Sequence, residues 1–392
     1  MKILSVNAGS SSLKFQMYEM PEEKVLISGV FERIGIGNSF YTIKLNGEKI
    51  KKERELSNHE EAVKILTDEL LENKVVSSLN EIEAIGHRMV HGGDKYQKST
   101  IINDEVIRDS EALIELAPIH IPANLTGVRA FQKIIKDATP VAVFDTSFHQ
   151  TLPKEAYIYP VPYEWYEKYG VRKYGFHGTS HKYVSMRMNE ILGRDDTKII
   201  TCHIGSGGSV SAVLNGKSID TSLGFTPNSG IMMGTRSGDI DSSIIPFIVK
   251  EAGLSLSEVD NILNKKSGLL GVSKKYSDSR DIENGIKNGD ELCILAQEIY
   301  VRKIVEYIAK YYVLLGGCDA IVMTAGVGEN SINTRKQIIE KLSVLGIELD
   351  EERNNIRGEE AKITKDSSKV PVWVIPTDEE LMIARDTYYL TK

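Results

Sequence analysis

Two stretches about two hundred residues apart share one layout: KILSVNAGSSSLKFQMYEM from Lys2 and KIITCHIGSGGSVSAVLNG from Lys198. Each is an apolar run of strand length, a turn of small residues, and a second β-prone run. Aligning Gly9 with Gly205 also superposes Ser10 on Ser206. Such an echo points to internal duplication, with each half opening on a β-hairpin whose tight turn faces a shared cleft. The 392 residues leave room for two such domains, each with a substantial core.

The rest of the chain reads as α/β. Short β-prone runs at Ile3 to Val6, Leu13 to Tyr18, Lys24 to Val30 and Phe40 to Leu45 precede a helix at about Asn58 to Glu72, for which Ser57 and Glu60 supply a capping box. Strands Ala84 to Val90 and Val141 to Phe144 flank a helix at about Ala123 to Lys136. After the second hairpin come a helix capped by Ser255 and Glu258, a long helix at Asp290 to Leu315 stopped by Gly316-Gly317, and a strand Ala320 to Thr324. The turn AGVGENS, a helix near Thr334 to Leu345, a strand Val370 to Ile375 and a terminal helix from Glu379 complete the pattern. We place the domain boundary at 148/149, with 149–380 as the second domain and the helix at about 381–392 returning to the first.

Composition excludes several partners. A formal charge of -7 with no basic block argues against nucleic acid. The most apolar long stretch, near Tyr311 to Gly328, is broken by Gly316, Gly317 and Asp319, so no membrane span is expected. The opening residues lack the apolar core of a secretory signal, and Cys202, Cys293 and Cys318 show no metal or redox spacing. A cytoplasmic protein with core thiols is expected, and the triplet at Asn124-Leu125-Thr126 carries no weight as a glycosylation signal there.

Chemistry concentrates in a few stretches. NAGSSSLK, HIGSGGS and TAGVGENS each put small residues directly after an apolar strand, where exposed backbone N–H groups and Ser hydroxyls suit phosphate. No P-loop, kinase H-R-D or G-x-G-x-x-G fingerprint occurs, so a nucleotide would be held by hairpin turns. Arg88 and Asp145 each sit at the C-terminal end of an apolar strand, where a buried charge needs a partner. Arg236 lies in GIMMGTRSGDIDSS with Asp239 and Asp241, and two loop arginines suit an anionic substrate and a travelling phosphoryl group. Asp378, Glu379 and Glu380 at a strand-to-helix junction read either as helix-terminus partners or as a Mg²⁺ carboxylate. Most of the histidines are expected to be structural.

Taken in order, NAGSSSLK, GHRMVHGG, FDTSFH, YGFHGTSH, DTSLGFTP, MMGTRSGD, LNKKSGLLG, TAGVGENS and PTDEELMIARDT resemble the acetate kinase family over nearly the whole chain. The resemblance implies two duplicated ribonuclease-H-like domains around a nucleotide cleft, the fold of sugar kinases, Hsp70 and actin, and usually a homodimer. It implies reversible, direct in-line transfer of the ATP γ-phosphate to acetate, with Mg²⁺ (or Mn²⁺) required. By motif it assigns Asn7 and Glu379 to the metal, Ser10, Ser12 and Lys14 to phosphate, and Arg88 and Arg236 to the acetate carboxylate and phosphoryl group. It gives His177 a transition-state hydrogen bond and makes Asp145 the essential acid, acting through an arginine or the metal. His203, Gly205, Ser206 and Gly207, then Asp278, Ser279 and Arg280, then Gly326, Val327, Gly328, Glu329 and Asn330 would line the nucleotide. Val90, Ile119 and Pro227 would enclose the acetate methyl. Ser206 and Asp378 stand where the family pattern has Asn. A propionate or other short-chain acyl kinase is the alternative, and a nucleotide-driven binding protein of Hsp70 type is a rival that would not need Arg88 or Arg236.

Overall fold

The opening hairpin consists of Lys2–Ala8 (β1) and Ser12–Glu19 (β2), and Lys24–Glu32 (β3), Phe40–Leu45 (β4) and Glu48–Glu53 (β5) continue it as an antiparallel meander. On the other side of β1 lie Ile82–Met89 (β6) and Thr139–Phe144 (β8), both parallel to it, with the short Thr100–Ile101 (β7) at the edge. A computed structural model describes residues 1–392 and separates them into two units, Met1–Phe148 with Asp378–Lys392, and His149–Thr377.

In the second unit Lys198–Ile204 (β9), Gly208–Leu214 (β10) and Lys217–Thr221 (β11) form the matching antiparallel set. Ala320–Thr324 (β12) and Val372–Val374 (β14) then run parallel to β9, with Ala361–Lys362 (β13) outermost. The order β3-β2-β1-β6-β8 in one sheet therefore repeats as β11-β10-β9-β12-β14 in the other. The duplication read from the two hairpins is a duplication of topology.

Central strands are buried on both faces, which is why they read as near-continuous apolar runs. Leu4, Val6 and Ala8 pack with Val63, Leu66, Leu70 and Phe131 from the helices His59–Glu72 and His120–Ile134. Ile3 faces the other way, towards Ala384 of the terminal helix Glu379–Thr391. That helix lies close to the sheet because position 86 is glycine: a Cβ there would come within 2.3 Å of Thr387 Oγ1. In the second unit Ile200, Cys202 and Ile204 meet Tyr300, Ile304, Ile308 and Tyr311 of the long helix Glu291–Leu314.

Two local expectations need correction. The helix at 59–72 is capped by Asn58, whose side chain accepts from Glu61 N at 3.0 Å, and not by Ser57. Glu61 reaches back to Ser57 N, so the reciprocal pattern is shifted by one residue, and Asn is as good a cap as Ser. AGVGENS is not a turn: Ala325 adopts φ +64° and Ala325–Asn330 is a short helix whose first amide donates to Glu329 Oε1. The Ser255–Glu258 capping box and the glycine stop of the long helix form as read, and Asp290, read as that helix's first residue, is its cap. No helix is long and apolar enough to cross a membrane.

Candidate functional site

In the first unit, parallel pairing of β1, β6 and β8 brings Asn7, Arg88 and Asp145 to one sheet edge. Val6 pairs with His87 and Met89 with Phe144, and Asp145 N donates to Met89 O at 2.9 Å. Arg88 meets Asp145 as a fork, Nε to Oδ1 at 2.9 Å and Nη2 to Oδ2 at 2.5 Å, and its Nη1 donates to Asn7 Oδ1 at 3.2 Å. Asp145 is buried. Burial works against the Arg88 cation, but Asp145 more than offsets it, so the guanidinium is held firmly charged.

The terminal helix starts at Glu379, with Asp378 as its cap accepting from Leu381 N at 2.9 Å. Burial pushes Asp378 up from the ordinary carboxyl range and Glu379 up to about 7. For Glu379 the charges of Asp145 and Glu380 add to the effect, while Arg88 and Lys14 oppose it. Lys14 itself is paired with the buried Glu380 at 2.6 Å. Asp145 and Glu380 are thus engaged by Arg88 and Lys14, and Glu379 and Asn7 remain as hard oxygen donors. Oxygen donors of this kind are what a divalent cation takes, and the Glu379 carboxyl, raised chiefly by desolvation, would gain a counter-charge from one.

The turn after β1 is anchored by Gly9 N donating to Ser12 O at 2.9 Å and by His59 Nε2 bonded to Gly9 O at 2.8 Å, which leaves Ser10 exposed. Val90 is buried and Ile119 is exposed. The Asn124 amide, discounted as a glycosylation triplet, bridges Ala8 O (2.9 Å) and Val90 N (3.0 Å) and so ties the first turn to the end of β6. Nothing in its sequence context signals that role.

In the second unit His177 takes φ +56° at the start of the helix Gly178–Leu192. Its ring stacks on His203 at 4.2 Å, and its Nδ1 bonds Ser209 Oγ at 2.8 Å. Ser209 Oγ is also 2.7 Å from His181 Nε2, and His203 Nδ1 bonds Ser180 Oγ at 2.8 Å. A Cβ added at Gly207 would lie 3.2 Å from Arg236 Nη2 and 3.5 Å from His177 Nε2. Gly207 therefore leaves room where a guanidinium and an imidazole nitrogen converge. Arg236 pairs with neither Asp239 nor Asp241; its Nη1 donates to Pro227 O at 2.6 Å, Asp239 is taken by Tyr307, and burial lowers the Arg236 pKa from its ordinary value. A half-buried guanidinium without a carboxylate is suited to an incoming anion.

Beside this point a cavity of about 330 Å³ is lined by Gly205, Ser206, Asp278, Ser279, Arg280, Gly326, Val327 and Asn330 from the sequence expectations. It is also lined by Gly234, Leu269 and Ser331, which lie inside MMGTRSGD, LNKKSGLLG and TAGVGENS, and by Ser277, Glu283, Tyr300 and Arg357, which no motif marked. Those residues become neighbours only through tertiary packing, although Ser277 and Glu283 flank the marked Asp278–Arg280 stretch. Gly207, His203 and Gly328 lie outside the lining. Glu329 serves the backbone, with Oε1 accepting from Ala325 N and Thr377 N. The buried His87 and His149 are kept neutral by desolvation, at about 3 and about 4, as expected of structural histidines.

Comparison with known proteins bears on both units together. The acetokinase family model matches residues 2–385. A curated acetate kinase of Bacillus subtilis (strain 168) is 52% identical over 393 residues, covering all of each chain. The crystal structure of Porphyromonas gingivalis acetate kinase superposes with a TM-score of 0.94 at 47% identity, again over all of both chains. That of a propionate kinase from Francisella tularensis gives 0.94 at 43% identity over 99% of each. The chain belongs to the acetokinase family.

Proposed function

We propose that this chain is an acetate kinase, transferring the γ-phosphoryl group of ATP to acetate to give acetyl phosphate and ADP. The observation that carries the reading is the convergence of His177 and Arg236 over Gly207, next to a cavity of nucleoside size. In the reaction an acetate oxygen forms the new P–O bond as the bond to the β–γ bridging oxygen breaks. Acetate is ionised at neutral pH, so no base is needed, and catalysis rests on positioning and charge neutralisation.

The residues divide the work. Arg88, held flat by Asp145 and Asn7, binds the acetate carboxylate, with Val90, Ile119 and Pro227 enclosing the methyl. Arg236 and the His177 Nε2–H donate to the equatorial phosphoryl oxygens as their charge is redistributed. The serines of the first turn and Lys14 take phosphate oxygens, and the cavity takes the nucleoside. Asn7 and Glu379 hold Mg²⁺, or Mn²⁺ in its place. When bound, the cation shares the negative charge of the phosphate oxygens. Asp145 aligns Arg88 and abstracts no proton.

The protein works in the cytoplasm as a homodimer. The helix Ile244–Ala252 supports the latter: none of its residues is buried, and Ile244 and Phe247 are exposed. A propionate kinase is the second reading, favoured by the similarity to the Francisella tularensis enzyme. One methylene in an apolar pocket changes discrimination by only ~1–3 kcal/mol. Hydroxamate trapping of the acyl phosphate formed from acetate, propionate and butyrate tests both. Acetate is expected to give the highest kcat/KM, and a preference for butyrate would overturn the assignment.

A further inference from the structure

The cavity of the second unit has two carboxylates in its wall, Asp278 and Glu283, and they are not equivalent. Asp278 caps the helix Ser279–Lys287 and is fully engaged by Arg280: Oδ1 accepts from its backbone N (2.8 Å) and Nε (2.9 Å), and Oδ2 from Nη2 (2.6 Å). Glu283, one turn further along, is half-buried and uses only Oε1, which accepts from Ser331 Oγ at 2.5 Å.

Behind that contact lies a directed relay. Ser331 Oγ is 2.9 Å from Thr334 Oγ1, and Thr334 Oγ1 accepts from Gln297 Nε2 at 3.1 Å. A carboxylate only accepts, so the single Ser331 hydrogen goes to Glu283 and Thr334 donates to Ser331 in turn. Gln297, Thr334 and Ser331 are all buried, and the amide of Gln297 is steadied by a second N–H donated to Gln337 Oε1 at 3.0 Å. Ser331 is fixed as well, because it caps the helix Ile332–Lys341 and accepts from Thr334 N at 3.1 Å. In a low-dielectric setting such a chain polarises towards its charged end and rigidifies it. Three buried groups on two helices thus orient one carboxylate whose second oxygen has no partner in the protein.

We propose that Glu283 is a specificity-determining residue of this cavity, its aimed carboxylate accepting hydrogen bonds from a ribose hydroxyl or exocyclic amino group of the nucleoside. The proposal rests on the reading that the cavity holds the nucleotide. A carboxylate built to receive such donors rejects an analogue that lacks them, because its desolvated oxygen is then left unpaired.

The test measures kcat/KM of the full-length enzyme, at saturating acetate and Mg²⁺, for ATP, 2′-deoxy-ATP, 3′-deoxy-ATP and ITP. The wild type is expected to disfavour the analogue lacking the recognised donor by about tenfold or more, the size of one charge-assisted hydrogen bond. The identity of that analogue separates ribose from base as the source. Glu283→Ala should bring the spread within about twofold by weakening ATP, with kcat little changed. Thr334→Val, which cuts the relay while leaving the Ser331 cap, should narrow the spread in the same direction, and its melting temperature reports on folding. Equal use of all four nucleotides by the wild type, or an unchanged spread in Glu283→Ala, overturns the proposal. Gly326→Leu keeps the two readings apart, since Gly326 lines the cavity and a Cβ there meets nothing within 4 Å, so a larger side chain is accommodated without displacing the fold. If Gly326→Leu leaves KM for ATP unchanged, the nucleotide assignment of the cavity falls and this proposal with it. If it raises KM while Glu283→Ala is silent, only the role of Glu283 falls.

Discussion

Replacing Asp145 by Asn separates charge from shape at the one buried ion pair of the first sheet edge. The amide keeps an acceptor for Arg88 Nε, now 2.9 Å from Oδ1, but turns the second oxygen, 2.5 Å from Nη2, into a donor facing a donor. Removing one partner of a buried pair costs ~3–5 kcal/mol. Arg88 is about one-quarter exposed and keeps Asn7 as an acceptor, so the lower end applies, about 2–3 kcal/mol of stability. The effect on turnover should be larger than folding explains. Without its fork Arg88 can rotate away from the acetate carboxylate, and loss of one preorganised charge stabiliser lowers kcat by roughly 10²–10³. The assay pairs hydroxamate kinetics with thermal melting, at a temperature where both proteins are fully folded. Because Asp145 also pushes Glu379 upward, the Asn variant should ionise Glu379 at lower pH. A variant with kcat within about threefold of wild type would refute the reasoning, since Asp145 would then be neither aligning Arg88 nor setting the charge of the site.

Three further outcomes follow from named contacts. Arg236→Ala should lower acetyl phosphate formation by ~10²–10³ with melting unchanged or raised, because a half-buried, partly desolvated cation without a carboxylate is removed; wild-type turnover would defeat its role. Ser206→Asn should tighten ATP or leave it unchanged: the side chain is exposed, and the turn is held through the backbone by Gly234 N to Ser206 O at 3.1 Å. A large rise in KM for ATP would show a turn rebuilt around serine. With Glu379 raised to about 7, its protonated form is favoured in the fold, so its contribution to stability is present below the ordinary carboxyl range and lost as pH rises through about 7. Metal must displace that proton, so the apparent Mg²⁺ affinity should fall by up to about tenfold per unit below pH 7 and level off above it; the same pH slope in Glu379→Gln would exclude this origin.

How much was legible depended on whether a role is carried by local sequence. The hairpins, the long helix with its glycine stop, and the positions of Arg88 and Asp145 at strand ends are local, and the structure has them where periodicity put them. That Arg88 and Asp145 pair with each other needed the parallel register of β6 and β8, which no single-strand pattern encodes. The roles of Asn124 and Glu283 were invisible because the partners that define them are 34 or more residues distant in sequence. AGVGENS was misread because its small residues suit a turn and a tight helix start equally, and the deciding contact is the side chain of Glu329 folding back on Ala325 N. Asn58 outcompeted Ser57 as a cap for a similarly short-range reason, the reach to Glu61 N.

The duplicated hairpins also show where equivalence of sequence stops being equivalence of structure. β1 and β2 close at Ala8 opposite Leu13, whereas β9 and β10 close at Ile204 opposite Gly208, so the first turn is one residue longer. In the first, Gly9 N donates to Ser12 O; in the second, Gly205 N donates to Gly207 O, a tighter closure. The extra residue is part of a run of three serines that ends at the strand carrying Lys14. The shorter turn instead presents glycine at 207, where Arg236 and His177 close in on the space a side chain would fill. A serine-rich loop suits an anion that is surrounded by hydroxyls and N–H groups, while a glycine suits one approached through bare backbone by charged side chains. The same hairpin, copied and changed by one residue, can thus supply two different kinds of phosphate contact, and inserting a serine after Ser206 should cost the second kind without creating the first.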